Sequence, residues 1–350
     1  MSEDSYVAAA SSTVTTKATP PESQVPVEAS PETPRRRRRR FSLGLDRFSG
    51  VYVLALIIII FGFWVPNTFL TTLNLRTILA AQAITALVSL GLLLPMAAGN
   101  FDLSVGATLG TSLMLVLKLQ NIGMNALLAS VIAILSGAVI GLVNGIVVVA
   151  FNVDSFIATL GMSSILSAVT VAISGGQQIA TGISPTFLKL ASTQWFGINA
   201  PVYYTLGVAI LLWAFLEYRP GGRAIYATGG NPRAARLAGI RVGRVVASTL
   251  VASGAISAFA GVLLASTLGA GTPTVGPPYL LPAFTAVFLG ATQIKRGRVN
   301  VVGTILAIFL LATGVKGLQL AGAPIYLPDL FNGLALLLAV ALAVRSRRAR

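Results

Sequence analysis

Charged side chains are missing from six long apolar stretches, at residues 48–75, 77–101, 119–153, 155–188, 190–216 and 245–294. A helix that crosses a bilayer needs about 20 mostly apolar residues, so each stretch is long enough for one crossing and several are long enough for more. With 55% hydrophobic and 10% charged residues among 350, the chain cannot assemble a water-facing shell. The expected fold is all-α, a polytopic helical membrane protein.

Ten crossings are expected, at 48–65, 76–98, 103–118, 126–150, 155–174, 201–217, 245–268, 279–294, 299–316 and 329–344. With both termini cytoplasmic, this layout puts 21 of the 25 basic residues on the inner side and leaves Arg76, Lys118, Lys189 and Lys316 outside. That asymmetry is what the positive-inside rule requires. Residues 1–40 are expected to be a disordered cytoplasmic tail, poor in aliphatic residues and ending in the run Arg35–Arg40, which anchors the first crossing on the inner side. The transmembrane domain then occupies 41–344, with a long inner loop at 218–244, and 345–350 is a basic cytoplasmic C-terminus.

Several functions are excluded by what the chain lacks. It has neither Cys nor His, which removes thiol chemistry, imidazole catalysis and the usual zinc ligands. No G-x-x-x-x-G-K-[ST] phosphate loop is present, so ATP and magnesium, if used, bind another chain. The formal charge of +15 falls between crossings and at the chain ends, which argues for a bilayer and against nucleic acid. No acid lies in the middle of a crossing, so an ion-coupled secondary transporter of a small polar solute is the weaker alternative. A membrane-embedded enzyme is weaker still.

Among the residues that could face a solute are Gln82, Asn100, Asp102, Asn144, Asp154 and Thr159. Asp102, in NFDLSVG, and Asp154, in NVDSF, each stand in a short link between apolar segments. The simpler reading of both is N-capping of the helix that follows, with solute contact as the alternative. Ser and Thr within crossings commonly bond to their own helix or to a neighbour. Gly137, Gly141 and Gly145 recur at four-residue spacing on one helix face and permit close backbone approach, within or between subunits. The outer segment 175–200 is rich in Gly and small polar residues and carries Trp195 and Phe196, which suits an interfacial surface.

The inner loop reads GGRAIYATGGNPRAARLAGIRVGR over 221–244. Asn231 as N-cap, Pro232 at the first helical position and Gly239 past the end predict a two-turn helix. On it Ala234, Ala235 and Ala238 share one face, with Arg233 and Arg236 on the other. Gly229 and Gly230 read as a flexible hinge in front. Three alanines anchor poorly in lipid and suit close contact with a protein, so the alanine face is expected to dock a partner.

The stretch GGNPRAARLAGIRVGRV and the helix after it resemble the cytoplasmic signature of the permease subunits of ribose-type carbohydrate ABC importers. NFDLSVGATLG (100–110), NGIVVVAFNVDSFIATLGMSSI (144–165), AVFLGATQIKRGRVNVVGTILAIFLL (286–311) and YLPDLFNGLALLLAVAL (326–342) continue the likeness in collinear order over about residues 50–344. Arg233 stands where relatives often carry an acid, Asn100 where Gly is common and Asp154 where Pro is common. The resemblance implies an importer permease fold in a bacterial cytoplasmic (inner) membrane. It implies a second permease subunit as a homodimer partner, an extracytoplasmic solute-binding protein, and a separate ABC ATPase seated on Gly229 to Gly239. An ABC permease for an amino acid is the nearest competitor on substrate.

Overall fold

The computed structural model describes residues 49–294 and 297–348; the expected tail 1–40 lies outside them. Fourteen α-helices follow one another: α1 (Ser49–Trp64), α2 (Pro66–Phe69), α3 (Thr72–Ala97), α4 (Val105–Asn121), α5 (Ala126–Ala150), α6 (Ser155–Ser174), α7 (Pro185–Ser192), α8 (Ala200–Tyr218), α9 (Pro220–Gly230), α10 (Pro232–Leu237), α11 (Val242–Leu268), α12 (Leu280–Thr292), α13 (Val301–Leu320) and α14 (Leu327–Arg348). Two-residue strands β1 (Gln194–Trp195) and β2 (Ile198–Asn199) pair antiparallel between α7 and α8. That hairpin and an antiparallel bridge between Ile179 and Gly271 are the departures from an all-α chain among the described residues.

Each of the ten expected crossings coincides with a helix. Among the described residues, six of these helices, α3, α5, α6, α8, α11 and α13, are long and apolar enough to cross a membrane. Helix α14 runs to Arg348, so the basic segment expected to follow position 344 begins within the helix. Segment 175–200 is also more ordered than its composition suggests, since it contains α7 and the hairpin.

The ends of the helices are set by local chemistry. Asn125 Oδ1 accepts from the backbone N–H groups of Leu127 and Leu128 at the start of α5, and Asn300 Oδ1 accepts from Gly303 N–H in α13 at 2.7 Å. These bonds satisfy donors that a helix N-terminus leaves open. Gly175 and Gly269 close α6 and α11 in the left-handed conformation, each at φ 62°, which glycine adopts without steric cost.

Small hydroxyl side chains share the interior with a core of Leu, Val and Ala, while many large apolar side chains face outward. Helix α4 is buried over most of its length and carries Thr108, Thr111 and Ser112 inward, whereas α5 presents Leu127, Leu135, Val139 and Leu142 outward. Large apolar side chains outside and small hydroxyls inside suit a lipid solvent, because helices in lipid associate through close packing and hydrogen bonds. The glycine stripe of α5 serves this packing within the chain. A Cβ on Gly137 would strike the Gly254 carbonyl, one on Gly141 the Leu250 carbonyl, and one on Gly145 the Ala247 backbone, all on α11.

Candidate functional site

Residues 98–104 link α3 to α4 and are tied to three other helices. The Asp102 side chain is 1% exposed. Its Oδ1 accepts from Ser104 N–H at 3.0 Å and from the Ser104 hydroxyl at 2.6 Å, and its Oδ2 accepts from the Ser253 hydroxyl of α11 at 2.7 Å. Asn144 Nδ2 of α5 donates to Ser104 Oγ at 2.9 Å. From α6, Ser155 Oγ accepts from Phe101 N–H at 3.0 Å and Thr159 Oγ1 from Leu103 N–H at 2.9 Å. A link without secondary structure of its own thus has its buried polar groups satisfied by side chains, as burial demands.

This geometry corrects the N-cap expectation for Asp102. Helix α4 begins at Val105 with Ser104 at the cap position and no side-chain capping bond; the carboxylate, two residues earlier, instead joins the turn to α11. Asp154 does cap: its Oδ1 accepts from Phe156 N–H at 2.9 Å and Ile157 N–H at 3.4 Å at the start of α6, and the side chain is exposed. Asp102, Asn144 and Thr159 therefore share one network. Asn100 is half-buried and bonds locally, its Nδ2 donating to Ala98 O at 3.2 Å, while Gln82 is half-buried on α3 outside the network.

Sequence reasoning missed Ser253 and Ser155, which lie in runs of small residues with nothing to distinguish them. It also missed an aromatic cluster on the same turn. The Phe101 ring lies 6.4 Å from Phe156, 6.4 Å from Phe284 and 6.3 Å from Phe288, centroid to centroid, and Phe284 and Phe288 stack on each other along α12. Phe101 and Phe156 are partly exposed, so the turn carries a saturated polar inner side and an open aromatic outer side.

The other face of the turn touches the long loop 218–244. That loop holds two helices, α9 and α10, where the sequence pointed to one. Gly229 and Gly230 are the last residues of α9 and form no hinge. A Cβ on Gly229 would overlap the Ala97 carbonyl, with Ala98 C and Gly99 N each 3.0 Å away. Gly229 therefore lets α9 abut the α3–α4 turn backbone to backbone. Tyr226 of α9 donates its hydroxyl to Val299 O at 3.0 Å, and the Arg298 guanidinium sits 3.4 Å above its ring centre. Burial pushes the Tyr226 phenol upward, and Arg298 offsets part of that rise.

Helix α10 is built as its sequence suggests. Asn231 Oδ1 accepts from the N–H groups of Arg233 and Ala234, each at 3.1 Å. At the other end Gly239 has φ 83°, its N–H donates to Arg236 O, and Ile240 N–H donates to Ala235 O, both at 3.0 Å. This is a Schellman closure, which uses the left-handed glycine to satisfy two terminal carbonyls. The alanine face, however, does not act as one surface. Ala235 is 4% exposed and packs with Val242, Val246 and Leu250 of α11. Ala234 and Ala238 are exposed, as are Arg233 and Arg236. The large apolar residue that α10 offers outward is Leu237, 92% exposed.

The arrangement defines a membrane permease with a rigid polar turn among its crossing helices and a capped helix projecting beyond them. Over residues 74–340 the chain matches the family described as branched-chain amino acid transport system / permease component, and it belongs to that family of transport components, which are not enzymes. Individual relatives are similar along most of their length. The ribose import permease protein RbsC of Bacillus subtilis (strain 168) is 33% identical over 299 residues, covering 85% of this chain and 92% of the relative. RbsC of Escherichia coli (strain K12) is 34% identical over 281 residues, or 79% of this chain and 86% of the relative. The D-allose transport system permease protein AlsC of the same strain is 32% identical over 303 residues, 86% and 93%. No solved structure matches the chain.

Proposed function

We propose that this chain is the transmembrane permease subunit of an ATP-driven ABC importer for a sugar or polyol, forming the translocation path and coupling to a separate ATPase through 221–244. The observation that carries the substrate class is the similarity, over 79–86% of the chain, to permeases named for ribose and D-allose. The family description names amino acids, but no relative reported above does.

In this reading the chain crosses a bacterial cytoplasmic membrane ten times with both termini inside, works as a homodimer, receives solute from an extracytoplasmic binding protein, and leaves ATP and magnesium to its ATPase. Helix α10 with its caps, from Asn231 to Gly239, seats on the ATPase through Arg233, Ala234, Leu237 and Ala238. ATP-driven closure of the partner moves α10 and, with it, α9. Gly229 passes that displacement to the α3–α4 turn, whose bonds to α5, α6 and α11 spread it over helices flanking the path. A coupled rigid-body motion of this kind needs stiff connections, and the network of Asp102, Asn144 and Thr159 is one. Gln82, Asn100 and the exposed end of α6 beside Asp154 line the route in the same reading.

Uptake of labelled pentoses, hexoses and polyols by cells carrying this chain with its ATPase and binding protein tests the assignment. Accumulation should stop when the ATPase is deleted. Sugar uptake that survives deletion and collapses with an uncoupler, or accumulation of leucine alone, would refute it.

A further inference from the structure

Helices α5 and α11 lie backbone to backbone along the glycine stripe and stay in contact at Gly145 and Gly243, and at the end nearest α10 an open groove of about 560 Å³ runs beside their seam. This size falls among ligand pockets, which run from about 300 to 1,000 Å³. Ile146, Val149 and Ala150 of α5 and Val242 and Ala247 of α11 line it. Arg236, Arg241 and Arg244 also border it, and all three are exposed.

The charges are placed against the local field. Arg241 is the N-cap residue of α11 and Arg244 lies in its first turn, where no acid is present. The N-terminus of a helix is its positive end, so cations there are unfavourable unless an anion sits among them. The described residues hold only four acids, Asp102, Asp154, Glu217 and Asp329. Asp102 is engaged by Ser104 and Ser253, and Asp154 by the start of α6. The apolar walls call for hydrocarbon beside that anion, and guanidinium groups bind phosphate oxygens in paired, planar geometry.

We infer that this groove is a binding site for one anionic phospholipid of the inner leaflet, with an acyl chain laid along the α5–α11 seam and the phosphodiester held by Arg236, Arg241 and Arg244. Anionic lipid is the inner-leaflet component that basic clusters attract. The inference rests on the orientation that places α9 and α10 on the cytoplasmic side. Because Arg236 belongs to α10, the bound lipid braces the helix that we assign to coupling. An acidic surface of the ATPase is the competing occupant, but it has no use for an apolar groove that runs along crossing helices.

The test is retention of dioleoylphosphatidylglycerol by the full chain, purified in detergent and measured by native mass spectrometry against dioleoylphosphatidylcholine. Wild-type protein should retain phosphatidylglycerol selectively. R236Q/R241Q/R244Q should lower that retention by at least about tenfold, given the attraction of each basic residue for anionic lipid. A150F, which fills the groove without changing charge, should lower it as well. R219Q/R223Q, which removes two exposed inner-side charges away from the groove, should leave it unchanged. Equal losses in the R219Q/R223Q control, or full retention by A150F, would overturn the proposal. So would a triple variant that keeps its lipid but no longer copurifies with the ATPase. Lipid retention is read without transport, so its failure leaves the importer assignment standing, and failed sugar uptake leaves the lipid result standing.

Discussion

Ser253 Oγ donates to Asp102 Oδ2 at 2.7 Å across 151 positions of sequence, and this bond fastens the α3–α4 turn to α11, the longest helix among the described residues. Asp102 has three donors on its two oxygens, two from Ser104 and one from Ser253. Removing the carboxylate leaves those donors buried without a partner. Asp102→Ala is therefore expected to lower stability by about 3 kcal/mol or more, from a desolvation cost of roughly 1–3 kcal/mol for each of the three stranded donors. Ser253→Ala removes one donor and should cost about 1 kcal/mol. Thermal unfolding of the purified variants measures both. The double variant should be less destabilised than the sum of the singles, since the two residues share one interaction; strict additivity would mean the bond does not form.

Gly229 and Gly230 are neighbours with opposite surroundings, and substitution separates them. A methyl group on Gly229 has to displace the α3–α4 turn, whereas nothing lies within 4 Å of the corresponding position on Gly230. Gly229→Ala is expected to cost about 1–3 kcal/mol, the usual range for overpacking a tight contact, and to reduce uptake sharply. Gly230→Ala should be neutral to slightly stabilising. Equal behaviour of the two in uptake and thermal unfolding would remove the backbone contact from the coupling route.

Tyr226 gives a pH prediction with a definite sign. Its phenol is raised by burial in the folded protein, so the folded state favours the protonated form that donates to Val299 O. That stability is fully present below the unfolded value near 10, and it is lost as pH rises through the higher folded value. Between about pH 6 and 9, below the unfolded phenol value, the contact should be independent of pH. Tyr226→Phe should cost about 1 kcal/mol throughout. A loss that appears only at one end of that window, followed by unfolding at each pH, would contradict the assignment.

What the sequence could reveal was decided by the range of each interaction. Helix positions follow from apolar runs and from caps such as Asn125, Asp154 and Asn231, all of which act within a few residues. Helix α9 left little trace, because PGGRAIYATGG has four glycines and few large apolar residues; contact with the α3–α4 turn holds it. Asp102 looked like a cap because an acid before VGATL fits that pattern, and its true partner, Ser253, is one of many serines. The orientation of α10 was equally hidden. A 3.6-residue period groups Ala234, Ala235 and Ala238, but it does not say which part of that arc the parent chain covers.

Ala235 and Leu237 decide which side of α10 is open to a partner. At about 100° per residue, two positions turn the helix by about 200°, so a buried Ala235 sends Leu237 almost directly away from the permease body. Ala235→Glu places a carboxylate against Val242, Val246 and Leu250; burying an unpaired charge costs several kcal/mol, and the variant should be lost from the membrane. Leu237→Glu alters a side chain that touches little of its own chain. Membrane level and unfolding temperature should match the wild type, while uptake and copurification of the ATPase fall by about tenfold or more, as expected for truncating a central apolar anchor. Immunoblotting of membranes alongside uptake distinguishes the two effects. Normal uptake by Leu237→Glu at wild-type levels would show that the ATPase does not grip this face of α10.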